Sequence, residues 1–280
     1  MTDRSRGSAM ATPPTYEVHA CKYAHLPRKG HEVQIMADPH DADYPMDYFV
    51  WVAIPLGEDG RRMIGGRPVV IDTGFSAEVA ARRGRKMLRD PATTLRDLGV
   101  EPNDIQDVII THLHYDHVGG WAMFPNARYH IQDKEMNFVT GRHMNKKTFR
   151  HAYEVEEVVA MVRALYGDRV VFHDGDEDIA PGLSVHHIGG HTAGIQAVRV
   201  WTRNGWLVLA SDASHYYWGL HDEKLFSIVF SVADMLSGYD KLKALAGGDV
   251  DMVVPGHDAE VMKRYPASTP ELTGWAVRLD

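Results

Sequence analysis

Thr111-His112-Leu113-His114-Tyr115-Asp116-His117-Val118-Gly119-Gly120 places four metal-ligand side chains within six residues, directly behind the apolar run Val108-Ile109-Ile110. That run predicts a buried strand within residues 104–111. A tight turn beyond its end can aim all four side chains at one place, where α/β proteins carry their sites. Alternation sends His112 and His114 the same way from an extended backbone, while Asp116 and His117, on the turn that opens the next helix, face a second position. Two ions about 3.5–4 Å apart are the natural occupants. A solvated His-rich loop would not need this spacing.

Three further candidates each close an apolar β run. His191 stands in Gly189-Gly190-His191-Thr192-Ala193-Gly194, where glycines permit close approach of the backbone to an ion. Asp212 follows the run 206–210, and His257 follows Val253-Val254-Pro255-Gly256. Singly, Asp212 could serve as a helix cap and His257 as a surface histidine. Together with the first cluster they complete two shells. His112, His114 and His191 hold one ion, Asp116, His117 and His257 the other, and the Asp212 carboxylate bridges them.

Outward from these ligands, β-branched and aromatic residues predict strands over 16–20 and 47–55, and a short one over 68–71 that ends in Asp72-Thr73-Gly74. Helical period takes over between Ser76 and Leu98, interrupted by Pro91. Over 146–166 the residues Phe149, Ala152, Val155, Val158, Val159, Val162 and Leu165 form one amphipathic stripe. Strands return at 170–173, 183–188, 195–201 and 206–210, with Asn204-Gly205 as the hairpin turn between the last two. Helices alternating with strands give an α/β class, and two sheets with helices outside satisfy the order. Residues 1–14, polar and ending in Pro13-Pro14, read as a disordered leader before a single domain over 15–280.

Composition narrows the function. The 280 residues, 44% of them hydrophobic, suffice for one large core. The single cysteine, Cys21, excludes an internal disulfide and a Cys-rich zinc site, so any metal rests on histidines and carboxylates. No apolar run approaches the roughly 20 residues that span a bilayer, and no signal peptide is evident, so the expected location is the cytoplasm. With 38 acids against 30 bases, a nucleic-acid groove is not expected, and a small-molecule substrate is. A homodimer is an admissible assembly.

His112-Leu113-His114-Tyr115-Asp116-His117 with His191, Asp212 and His257 resembles the metallo-β-lactamase superfamily, from about residue 47 to 260. The resemblance implies the αββα sandwich of two mixed β-sheets with outer helices, two Zn2+ ions (Mn2+, Fe2+ or Co2+ as substitutes), and Asp72 as an early aspartate that supports the ligand loop without binding metal. It also prunes. The β-lactamases of this fold commonly use a cysteine ligand, and Cys21 is far from every ligand segment. Diiron flavoproteins carry glutamate where His114 stands. The nucleases add a domain or RNA-binding arm.

Among the remaining groups the chain is most similar to the N-acyl homoserine lactone lactonases, in its long segment before Asp72, its helical insert after the first cluster and Asp212-Ala213-Ser214. Those lactonases have a tyrosine three residues after the bridging Asp; here the place is His215, followed by Tyr216 and Tyr217. The resemblance therefore implies lactone or ester opening by a metal-bridging hydroxide, with Asp116 carrying the proton to the leaving alkoxide and His215, Tyr216 or Tyr217 touching the substrate. Phosphotriester hydrolysis, thioester hydrolysis of the glyoxalase II kind and a non-catalytic metal-binding protein are the alternatives. His143, His151, His186 and His187 lack ligand spacing.

Overall fold

Among the residues that the computed structural model describes, 13–37 and 43–280, the apolar runs pair into two sheets. The expected leader lies, as far as residue 12, outside the described residues. In chain order the strands are β1 (Tyr16–Leu26), β2 (Met46–Pro55), β3 (Val69–Ile71), β4 (Asp107–Ile109), β5 (Arg128–Gln132), β6 (Val170–His173), β7 (Glu177–Ala180), β8 (Leu183–His187), β9 (Gln196–Thr202), β10 (Gly205–Ser211), β11 (Val253–Pro255) and β12 (Ala276–Arg278). The first sheet runs β12-β1-β2-β3-β4-β5-β6 and the second β11-β10-β9-β8-β7. Both are mixed: β3 to β6 are parallel neighbours, as are β10 and β11, while β1 with β2 and β8 with β9 are antiparallel.

The inner faces meet through Val18, Trp51, Ile71 and Ile109 on one side and Val185, Val198, Leu207 and Leu209 on the other, all buried. Helices cover the outer faces. Asp133–Thr140 and Val155–Tyr166 supply side chains to the core outside the first sheet, and Val232–Leu245 does so outside the second. This is the αββα sandwich that the sequence led us to expect. No helix among the described residues is long and apolar enough to cross a membrane.

Local departures have identifiable causes. Pro91 does not interrupt a helix but begins one: Pro91–Asp97 starts at Asp90, whose side chain accepts from the Ala92 N–H, and the preceding helix stops at Arg82. Proline at the first helical position costs no hydrogen bond. The expected helix over 146–166 is two pieces, Lys147–Arg150 and Val155–Tyr166. The buried face of the second is Glu157, Ala160, Met161 and Ala164, whereas Val155 is 69% exposed. The contact centres on Ala160, Met161 and Ala164, with Val158 and Val162 packed at its margin.

Candidate metal centre

Each of the seven candidate ligands sits just beyond a strand or on a turn at one edge of the sandwich. His112, His114, Asp116 and His117 follow β4, His191 lies between β8 and β9, Asp212 follows β10, and His257 follows β11. All seven are buried, the most exposed being Asp116 at 7%. The structure brings them together. Asp212 divides its carboxylate between two groups: Oδ1 lies 3.3 Å from His117 Nε2 and 3.1 Å from His257 Nε2, while Oδ2 lies 3.3 Å from His191 Nε2 and 3.8 Å from His112 Nε2. His114 Nδ1 faces His112 Nε2 at 2.9 Å and His191 Nε2 at 3.0 Å. Asp116 Oδ2 stands 3.7 Å from His257 Nε2 and 3.9 Å from His117 Nε2.

The outer nitrogens explain how the rings are aimed. His117 Nδ1 donates to Asp72 Oδ2 at 2.7 Å, His191 Nδ1 to the Ile228 carbonyl at 2.8 Å and His257 Nδ1 to the Asp47 carbonyl at 2.9 Å. With the N–H directed outward, the Nε2 lone pairs point inward at one another, an arrangement that suits a shared cation. His117 Nε2, His257 Nε2 and Asp212 Oδ1 are buried without a hydrogen-bond partner. Nitrogen ligands about 2.0–2.1 Å from a tetrahedral zinc lie roughly 3.3–3.4 Å apart, close to the separations seen here. The donor set therefore fits divalent metal ions.

Burial, with the neighbouring imidazoles, holds His112 and His114 well below the usual imidazole range. Burial brings His191 down to about 3 despite Asp212. These three are set in the neutral form, the one able to bind a metal. Burial also opposes a charge on His117 and His257, but the acidic neighbours, Asp212 first, carry both upward. The carboxylates thus favour positive charge at the centre.

Asp72 accepts from the Thr111 N–H and hydroxyl, each at 2.8 Å, in addition to His117. Asp72 (φ 60°) and Ser211 (φ 47°) are in the left-handed region, and the Thr111 hydroxyl joins the two, 2.9 Å from Ser211 Oγ. Such backbone strain persists where the surrounding contacts over-determine it. The expected glycine approach to an ion takes a different form. A Cβ at Gly190 would lie 2.5 Å from Met235 Cα, so that glycine seats the His191 loop on helix Val232–Leu245. At Gly256 the Cβ would meet Asp212 Oδ1 at 2.6 Å, so this glycine does clear space for a ligand.

One supporting residue escaped the sequence reading. Glu135, fully buried, accepts from Leu113 N at 3.0 Å, Gly194 N at 3.2 Å, the Thr192 hydroxyl at 2.6 Å and the Tyr153 hydroxyl at 3.3 Å. It fastens the first ligand loop to the His191 loop. In the sequence it resembles any acid near a helix start.

His215 Nε2 is 3.0 Å from Asp212 Oδ2, its ring stacked on Phe226 with centroids 3.5 Å apart. It lines the cavity beside the ligands and, with Asp212 and His257, forms a third group able to hold an ion. Tyr216 is not brought into this group. Its hydroxyl donates to the Tyr44 carbonyl at 3.1 Å, its ring stacks on Trp218, and it is not among the residues lining the cavity. Tyr217 is turned toward Arg264, 3.6 Å above its ring. His151, read as an unremarkable histidine, lines the cavity mouth.

Residues 62–257 match the family model described as the metallo-beta-lactamase superfamily. An N-acyl homoserine lactonase of Bacillus sp is 26% identical, the alignment covering 77% of this chain and 83% of that protein. The N-acyl homoserine lactonase AttM of Azorhizobium caulinodans is 28% identical over 85% of this chain and 91% of its own. Among solved structures, a quorum-quenching N-acyl homoserine lactone lactonase superposes with a TM-score of 0.72 at 22% identity, covering 91% of this chain and 97% of that one. An N-acyl homoserine lactone hydrolase with the product N-hexanoyl-L-homoserine at its catalytic metal centre also gives 0.72, at 21% identity over 90% and 97%.

Proposed function

The chain belongs to the metallo-beta-lactamase superfamily and is a metal-dependent hydrolase, and from that premise we propose that it opens a lactone or a similar carboxylic ester with two zinc ions. His112, His114 and His191 would hold one ion, Asp116, His117 and His257 the other, with Asp212 shared. The observation that carries this reading is the split Asp212 carboxylate, one oxygen facing each histidine group. Similarity to N-acyl homoserine lactonases supports the lactone.

When bound, the ions supply a water activated near neutral pH and Lewis-acid polarisation of the carbonyl. The chain's own residues do the rest. Asp72 and Glu135 hold the ligand loops in place, which keeps the reacting groups oriented. Water adds to the carbonyl carbon, the acyl C–O bond breaks, and Asp116 carries a proton to the departing ring oxygen. His215, held flat against Phe226, contacts the carbonyl oxygen or the leaving group. Tyr216 is proposed only as a support for the cavity wall.

The test is a panel of lactones, thioesters and phosphotriesters with elemental analysis of the same samples. Two ions per chain and a lactone preference are expected, and Asp212→Ala should lose both ions together. A fully active sample with one ion, or loss of a single ion in that variant, would overturn the shared site.

A further inference from the structure

The cavity beside the ligands, about 170 Å³ in volume, has a wall of arginines that the reaction above does not use: Arg28 from the turn after β1, and Arg83 and Arg85 from the segment after the helix ending at Arg82. Two of the three are neutralised by the protein itself. Arg28 Nη1 donates to Glu32 Oε1 at 3.1 Å, and Arg83 Nε to Glu154 Oε1 at 2.6 Å. Arg85 differs. Its Nε donates to the Tyr115 hydroxyl at 3.1 Å and its Nη1 to the Arg83 carbonyl at 3.2 Å, both neutral acceptors. Among the described residues no carboxylate pairs with it.

A half-buried guanidinium without a close ion-pair partner is costly; Asp116 acts on Arg85 only from beyond ion-pair distance, and in a chain of net charge −8 acids are plentiful. Its position gives the arrangement a purpose. Tyr115, which holds Arg85, lines the same cavity as His114 and Asp116, so the guanidinium is tied into the wall of the reacting centre, and its Nη2 edge has no hydrogen bond among the described residues. That edge of the planar fork is suited to a carboxylate. Arg85, His114, Asp116 and His257 line this one small cavity, so an anion seated at Arg85 shares it with the reacting centre; an apolar pocket of about 60 Å³ with Phe138, Phe149 and Phe230 adjoins it at His114 and His191.

We propose that Arg85 receives a carboxylate carried by the substrate, which makes the substrate class small acidic lactones and not neutral lactones with long acyl chains. The inference rests on the lactone reading above. A matched pair of probes separates the two: 5-oxotetrahydrofuran-2-carboxylate and γ-valerolactone, the same ring bearing a carboxylate or a methyl group.

Metal-loaded wild-type protein should show a kcat/KM roughly 10–100-fold higher on the acid, as a charge-assisted hydrogen bond of about 1.5–3 kcal/mol implies. Arg85→Met should collapse that ratio, mainly through KM on the acid, and Arg85→Lys should restore part of it. A ratio unchanged in Arg85→Met would reduce Arg85 to a structural tie and overturn the proposal. Calorimetry with the ring-opened products keeps the two readings apart. 2-Hydroxyglutarate should bind at least tenfold more tightly than 4-hydroxypentanoate, with the difference lost in Arg85→Met. If neither lactone is opened yet this binding difference holds, the lactone reading falls and the carboxylate site stands; equal binding of both products by the wild type removes the site.

Discussion

Asp72 Oδ2 lies 2.7 Å from His117 Nδ1, and the same carboxylate accepts from the Thr111 N–H and hydroxyl. One buried acid thus orients the ring of His117 and closes the turn from which the His112–His117 loop departs. Partners of this kind are worth about 10–100-fold in metal affinity. Asp72→Asn should weaken the ion held through His117 by that factor in chelator competition while the far-ultraviolet circular dichroism is preserved. Wild-type affinity in that variant would show that the backbone alone aims His117.

Glu135 makes the corresponding prediction for the other histidine group. Glu135→Leu leaves two backbone N–H groups and the Thr192 hydroxyl without their acceptor. Each buried donor left unpaired costs about 1–3 kcal/mol, so thermal unfolding should shift downward on the order of 10 °C. Glu135→Gln keeps one acceptor oxygen and should lose about half as much. Equal midpoints for all three proteins would mean that the two loops are joined elsewhere.

Glu157 offers a pH signature outside the candidate ligand set. It is 5% exposed, and neither carboxylate oxygen has a hydrogen-bond partner among the described residues. Burial first, then Glu154 and Asp116, push its carboxyl up to about 8. An acid raised on folding binds more protons folded than unfolded, so its penalty grows from about pH 4.5 and is complete above about 8. Glu157→Gln has no proton to lose. Its stability advantage in urea should widen by about 1–2 kcal/mol between pH 6.5 and 9, at about 1.4 kcal/mol per unit, and parallel pH profiles would contradict the assignment.

The convergence of the seven His and Asp side chains was legible in the sequence because its signal is local: four side chains in six residues behind an apolar run, and three others that each terminate such a run. Strands β6, β9 and β10 were legible for the same reason, since alternation is a short-range feature, although the hairpin turn falls at Arg203-Asn204, one residue before the expected Asn204-Gly205, with Gly205 already paired to Thr202. What depended on tertiary contact was not. Helical period continues across residues 151–154, so nothing local marks the break there. The acid Glu135 is distinguished only by donors from residues 113, 153, 192 and 194. Tyr216 and His215 are adjacent in sequence, yet the backbone sends the phenol to the Tyr44 carbonyl and the imidazole to Asp212. Adjacency alone gave no means of choosing between them.

Asp116 carries the prediction that separates lactone opening from its rivals. Its carboxylate lies 3.7 Å from His257 Nε2, lines the cavity and is 7% exposed, while its backbone carbonyl is held by the Tyr23 hydroxyl at 2.8 Å. The side chain is therefore a fixed group within reach of a substrate. Lactone opening releases a poor alkoxide leaving group, for which proton delivery is worth about 10²–10⁴ in rate. A nitrophenolate from an activated ester or phosphotriester departs without a proton and should be nearly indifferent to the donor. Asp116→Asn protein, shown by elemental analysis to retain its ions, should thus lose lactone turnover by about 10²-fold or more and nitrophenyl ester turnover by about tenfold or less. Because both substrates meet the same centre, damage to metal binding would depress both rates together, and so would a role for Asp116 in ligation alone. Equal losses on the two substrates would therefore remove the acid role and assign the carboxylate to coordination.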